Sequence, residues 1–160
     1  MKKLFIRIII SIANKVILLK NKREIGRLKH CGDNFTIQEP FYFAGYDKII
    51  IGNNVSIAAF VHIWGQGGVS IGNNVLIASH TAITSLTHNT QSKIFNSEVI
   101  MKNVTIGDNV WIGAHSVILP GVAIGNNCII GAGSIVNKNI PNNTVFAGVP
   151  AKELYKLNQF

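Results

Sequence analysis

The sequence is short of charge, of acidic charge most of all, and of cysteine and methionine. Of its 160 residues 14% are charged, and seven are Asp or Glu. A hydrophobic content of 48% excludes a disordered chain, which cannot bury enough apolar surface to fold. Two cysteines, Cys31 and Cys128, form neither a disulfide framework nor a spaced zinc set. They are expected as buried thiols in a reducing compartment. The most apolar stretch, LFIRIIISIANKVILL at residues 4–19, is too short and too interrupted to span a bilayer, which takes about 20 apolar residues. No stripe of arginine and aromatic residues crosses the body of the chain, so nucleic-acid recognition is not expected. The length predicts one domain around one core.

The formal net charge of +8 is not spread over the chain. Residues 1–29 hold nine basic side chains against Glu24 alone, and residues 30–160 hold six of each sign. Within the N-terminal segment, Arg7, Ser11, Asn14 and Lys15 recur at helical spacing among apolar residues. The pattern predicts a basic amphipathic helix over residues 1–29. Two roles fit: packing on its own domain or on a neighbouring subunit, or lying on an anionic membrane surface through residues 1–23. Lys2 and Lys3 before an apolar stretch also fit a signal peptide. Arg7 inside that stretch and the lack of a small-x-small cleavage site argue against one.

What the sequence has in quantity is isoleucine at intervals of six. Ile51, Ile57 and Ile63 are followed, after a two-residue slip, by Ile71, Ile77 and Ile83. A break follows, and then Ile100, Ile106, Ile112, Ile118, Ile124, Ile130 and Val136. Cys31 and Ile37 form an earlier, weaker pair. The second position of each hexad is usually Gly or Ala, often followed by Asn, residues that tolerate positive φ at low cost. A 3.6-residue period cannot hold such a series on one face, so a helix bundle is excluded. Each hexad reads as one short strand and one corner, with the first residue pointing inward and stacking on its equivalents in the next coils.

This pattern resembles the hexapeptide-repeat family, with its [LIV]-G-x-x-[STAV]-x signature. The resemblance implies an all-β fold, a left-handed parallel β-helix over residues 30–152, assembled as a homotrimer. Residues 153–160, ELYKLNQF, are expected as a short C-terminal helix.

The break extrudes residues 89–99 from the coil, with His88 at its entry. A solenoid gains no stability from such a loop, and loops on rigid scaffolds often carry function. From spacing alone, a lone His at a corner such as His88 is more often an ordinary surface residue. Thr87-His88, the loop, the run Val104 to Gly113 and Leu119-Pro120-Gly121-Val122 are similar to galactoside and maltose O-acetyltransferases. So is the ending Asn139 to Lys152. The resemblance implies acetyl transfer from acetyl-CoA to a sugar hydroxyl, with His88 as general base and no metal. It places Gly113, Ala114 and Trp111 around the acetyl group, with the Ala114 N–H facing the oxyanion. It assigns Gly131, Ala132, Gly133, Asn137, Lys138 and Lys152 to coenzyme A. One departure concerns the acceptor: Ala58 stands where the family has an Asn. His62 and Trp64, in the irregular segment VHIWGQGG, are the nearby substrate-binding candidates, and a surface polysaccharide or lipopolysaccharide unit is the expected acceptor. The expected location is cytoplasmic, peripheral on the inner face of the membrane.

Three other readings use the same fold. A γ-type carbonic anhydrase would need a His-x4-His pair, which His30, His62, His80, His88 and His115 do not supply. A streptogramin-type acetyltransferase also has a His before an extruded loop, but the loop NTQSKIFNSEV lacks the aromatic signature expected there. A non-catalytic scaffold has no need of the loop and its His.

Overall fold

The computed structural model describes residues 2–158. It opens with helix α1 (Lys2–Ile25), whose last turn carries Lys22 and Arg23 where the helix dipole favours positive charge. A parallel β-solenoid follows, built coil by coil. The first coil holds β1 (His30–Cys31), β2 (Thr36–Ile37) and β3 (Tyr42–Ala44). The second holds β4 (Ile49–Ile51), β5 (Ser56–Ile57) and β6 (His62–Trp64), and the third β7 (Val69–Ile71), β8 (Leu76–Ile77) and β9 (Ala82–Thr84). Here the coil is interrupted by β10 (Leu86–His88) and β11 (Val99–Met101). The fourth coil resumes with β12 (Val104–Ile106), β13 (Val110–Ile112) and β14 (Val117–Ile118), and the fifth has β15 (Ala123–Ile124), β16 (Cys128–Ile130) and β17 (Ile135–Val136). A last partial coil ends in β18 (Thr144–Ala147) and β19 (Lys152–Lys156).

The strands stack into three faces. The first face runs β1-β4-β7-β12-β15, the second β2-β5-β8-β13-β16-β18-β19, and the third β3-β6-β9-β14-β17. The register stacks like on like. Ile51, Ile71, Ile106 and Ile124 form one inner column, and Ile57, Ile77, Ile112, Ile130 and Phe146 a second. Ile63, Ile83, Ile118 and Val136 form the third, and every member of the three columns is buried. The fifth positions of the hexads are buried with them. Where these are polar, as at Thr81, Ser116 and Ser134, the hydroxyl donates to a corner carbonyl, so no buried donor is left unpaired.

The corners differ in chemistry. At the first corner Asn54, Asn74, Asn109 and Asn127 all adopt positive φ, which costs Asn less than most residues. Their neighbours form a ladder. The Asn53 N–H donates to Asn73 Oδ1 at 2.9 Å, that of Asp108 to Asn126 Oδ1 at 2.8 Å, and that of Asn126 to Asn142 Oδ1 at 2.8 Å. At the second corner the positive-φ positions are Phe60, His80, His115 and Gly133. Phe60 stacks on His80 at 4.7 Å and His80 on His115 at 4.6 Å.

Three expectations change. Ile100 stands outside the inner columns: it lies in β11, which pairs with β10 as an antiparallel ribbon. Its six-residue spacing is fortuitous, because the coil resumes at Val104. The extrusion is therefore larger than residues 89–99, with both strands of a ribbon leaving the coil. The C-terminal helix is not formed either. Lys152–Lys156 run back along β18 as an antiparallel strand, and the Leu157 N–H donates to the Asn143 carbonyl at 2.8 Å. The unpaired edge of β18 offers interstrand hydrogen bonds that outweigh the helical spacing of Leu154 and Leu157. Met1, Gln159 and Phe160, the ends of the two predicted helices, lie outside the described residues.

Cys128 is buried as expected, whereas Cys31 is half-buried and its thiol pKa is raised by burial.

Candidate active site

His88 ends β10 opposite Val99, and its side chain is exposed. The ribbon that carries it is held at both ends. Beyond His88, the Asn89 amide donates to the Glu98 carboxylate at 2.7 Å, and the Ser92 hydroxyl joins it at 3.1 Å. These bonds, Asn89's first, hold the Glu98 carboxyl below the usual carboxylate range. At the root, Ser85 is fully buried. Its N–H and its hydroxyl both donate to the Trp64 carbonyl, at 2.9 and 2.7 Å, and its hydroxyl accepts from the Gly67 N–H at 2.8 Å. The Lys102 N–H then closes on the Ser85 carbonyl at 2.8 Å, clamping the returning strand. The two-residue slip at Gly65-Gln66-Gly67-Gly68 is the brace for this root. A Cβ on Gly67 would collide with the Ser85 carbonyl.

The oxyanion and coenzyme candidates meet at the second corner. Gly113 and Ala114 form it in the fourth coil and Gly131, Ala132 and Gly133 in the fifth, joined by the Gly133 N–H donating to the Ala114 carbonyl at 2.8 Å. This corner lacks the side-chain acceptors of the asparagine ladder. Among the described residues, the N–H groups of Ala59, Ser79, Ala114 and Ala132 pair with no protein acceptor. They form a line of unspent donors, the kind of group that binds developing oxyanions and amide carbonyls. Gly133 has φ +69, and nothing lies within 4 Å of where its Cβ would be, so the groove is open there.

Trp111 projects from the outer side of the second face between Leu76 and Ile129, and is 50% exposed. With Asn74 and Leu157 these residues line a groove of about 380 Å³. Asn137, Lys138 and Lys152 are not at the second corner. Lys138 lies over the Phe146 ring at 5.7 Å, at the closed end of the solenoid, and Lys152 opens β19 opposite Ala147.

His62 and Trp64 stand together on the outer side of the third face, ring centroids 5.4 Å apart. The sequence reading missed two members of this region. Tyr42, one coil below, packs against both rings at 5.9 and 6.1 Å. Ser85 fixes Trp64 to the ribbon root. The hexad spacing contained the signal for Tyr42, which sits at the same position of its coil as His62. Ala58 lies at the second corner, next to Ala59, whose N–H has no protein acceptor. Among the described residues no group of His, Cys, Asp and Glu could hold a metal ion.

Residues 103–138 match the family model described as bacterial transferase hexapeptide, six repeats. The chain is 43% identical over 128 residues to galactoside O-acetyltransferase of Escherichia coli strain K12. That match covers 79% of this chain and 63% of the relative, so the chain spans less than two thirds of its length. Among solved structures it is similar to a galactoside acetyltransferase in complex with coenzyme A, with a TM-score of 0.84 and 38% identity over 89% of this chain and 72% of that one. A hexapeptide-repeat acetyltransferase of Vibrio cholerae O1 biovar eltor, complexed with acetyl coenzyme A, gives a TM-score of 0.81 and 31% identity over 85% and 75%. The stacked isoleucine columns, the ribbon with its histidine and these relatives agree: the chain belongs to the hexapeptide-repeat acetyltransferase family.

Proposed function

We propose that the protein transfers an acetyl group from acetyl-CoA to a sugar hydroxyl, with His88 as the general base. The observation that carries this reading is an exposed imidazole on a ribbon pinned at root and tip, in a solenoid whose second corner presents unpaired N–H donors. An alcohol is too weak an acid to attack a thioester unaided at neutral pH. His88 takes the hydroxyl proton as the oxygen bonds to the thioester carbonyl carbon. The Ala114 N–H receives the oxyanion. The carbon–sulfur bond then breaks, and the proton passes from His88 to the departing thiolate. No acyl-enzyme intermediate is needed: Cys128 is buried and Cys31 lies in the first coil.

In this reading coenzyme A runs along the second corner over Gly131, Ala132 and Gly133, where an open groove admits the pantetheine. Asn137, Lys138 and Lys152 meet its phosphates at the closed end. The acceptor lies against His62 and Trp64, and is a surface-polysaccharide or lipopolysaccharide unit. Three copies form the enzyme, with sites between subunits. The exposed apolar pair Leu76 and Trp111, at 46% and 50%, fits a face that faces a neighbour and the acetyl group. The cytoplasm, where acetyl-CoA is made, is its place of work.

The test begins with a thermal-shift titration with coenzyme A and acetyl-CoA. A ligand binding only the native state adds about 2.7 kcal/mol at a hundredfold excess over Kd. Saturable stabilisation is expected, followed by thiol release with a saccharide panel. His88→Ala should then lose about 10²–10⁴ in turnover. A folded oligomer that no coenzyme stabilises, or near-normal turnover in His88→Ala, refutes the reading.

A further inference from the structure

Helix α1 is the one element whose chemistry the acetyl-transfer site leaves unused. At about 1.5 Å per residue its 24 residues reach about 36 Å. Its large apolar side chains are largely uncovered by the solenoid: Phe5, Ile6, Ile9, Ile10, Ile12, Val16, Ile17 and Leu19 are each about half to two-thirds exposed. Their spacing spreads them over about half of the helix circumference, while exposed Arg7, Ser11 and Lys15 occupy the opposite stripe. Eight large apolar groups left in water are a cost that a folded protein rarely keeps without a partner.

The foot of the helix is fixed to the solenoid. Lys20 lies 3.8 Å from the Glu39 carboxylate in the first coil. Arg27, just beyond the helix, bonds Glu24 at 2.8 Å and lies over the Tyr46 ring at 4.2 Å. The turns before Lys20 are exposed at every residue whose burial is described. No helix among the described residues is long and apolar enough to cross a membrane.

Charge selects the occupant. The whole excess of +8 belongs to residues 1–29, and the rest of the chain is neutral. Packing copies of this helix against one another would bring basic residues together with only Glu24 to offset them. An anionic surface instead gains from each Lys and Arg while the apolar half-cylinder enters the headgroup boundary. We propose that α1 docks the protein on an anionic lipid bilayer, lying in its surface without crossing it. Docking needs no acetyl chemistry, so it stands or falls independently of the proposed reaction.

The experiment is flotation of the full chain with vesicles of phosphatidylcholine alone and of phosphatidylcholine mixed with phosphatidylglycerol. The protein is expected to float with the mixed vesicles and to stay below with the neutral ones. Added salt should release it. Lys15→Gln should lower the partition coefficient about fivefold, the effect of one basic residue near such a surface. The double variant Ile9→Glu with Val16→Glu should abolish flotation while keeping the oligomeric state of the parent by light scattering. Wild-type protein that stays with the soluble fraction, or floats equally on both vesicles, overturns the proposal. So does a double variant that falls to a smaller oligomer, because α1 would then belong to an interface between copies.

Discussion

Ser85 grips the Trp64 carbonyl twice, once with its N–H at 2.9 Å and once with its hydroxyl at 2.7 Å, and so ties the ribbon of His88 to the coil beneath it. Ser85 touches no reacting atom in the proposed mechanism; it is a positioning residue. Ser85→Ala removes one of the two bonds and leaves the Gly67 N–H without its acceptor. A buried polar group stranded this way costs about 1–3 kcal/mol. The expected outcome is a lower urea midpoint, and a reduced kcat with the KM for acetyl-CoA unchanged. A KM that rises while kcat holds would show that the ribbon root does not position His88.

Gly133 offers a cleaner probe of the coenzyme groove than a bulky aliphatic. Its φ of +69 strains most side chains, yet asparagine occupies that conformation at Asn54, Asn74, Asn109 and Asn127 in this same chain. Gly133→Asn should therefore fold normally. Its side chain would project into the space that is open in the wild type. Coenzyme A affinity by calorimetry should fall about tenfold or more, the loss of about 1.4 kcal/mol of binding. Unchanged affinity in a stable variant would move the coenzyme away from this corner.

The His80–His115 stack sits on backbone that imidazole tolerates and a β-branched residue does not. His115→Val should destabilise by about 1–3 kcal/mol, through positive-φ strain and the loss of stacking. His115→Asn keeps the conformation and gives up only the stack, so it should cost less. Chemical denaturation of the pair against wild type measures the difference. An equal loss in both would mean that stacking, not backbone strain, governs this corner.

The clasp at the foot of α1 should respond to acid. The Tyr46 hydroxyl, and after it Arg27, hold the Glu24 carboxyl below the ordinary glutamate range. A carboxyl whose pKa is lower folded than unfolded stabilises above the unfolded value, and the contribution is lost as pH falls through the folded one. Amide exchange in residues 20–28 should therefore speed up, relative to the solenoid, below the ordinary glutamate range. Glu24→Gln should show the faster exchange already at neutral pH and little further change on acidification. Identical profiles for both proteins would remove Glu24 from the clasp.

The hexads made the solenoid legible because burial and stacking act on the same residue in every coil. Twelve of the thirteen spaced positions proved to be inner columns, from Ile51 to Val136. Ile100 deceived because spacing carries no information about which way a strand runs once the chain leaves the coil. The β19 strand deceived for a related reason: its partner, the edge of β18, exists only after the solenoid is complete. His88 was visible as a residue, and its family role came from the motifs around it. Ser85 was not visible, since a serine at a buried position gains its meaning from a carbonyl twenty-one residues away. The unspent donors at the second corner were hidden too, because they belong to the backbone and show only where asparagine is missing.

The backward strand β19 has a consequence for the molecule's neighbours in solution. A stack of parallel coils has no inherent length, and each coil is a template for another. By folding back on β18, residues 152–156 occupy one of the open ladders and present only an exposed strand rich in charge, Lys152, Glu153 and Lys156. Lysine and glutamate along an outer edge discourage a further strand from joining. Residues 152–156 thus cap the ladder of the second face with a charged strand, where a bare β18 edge would offer a template for another chain.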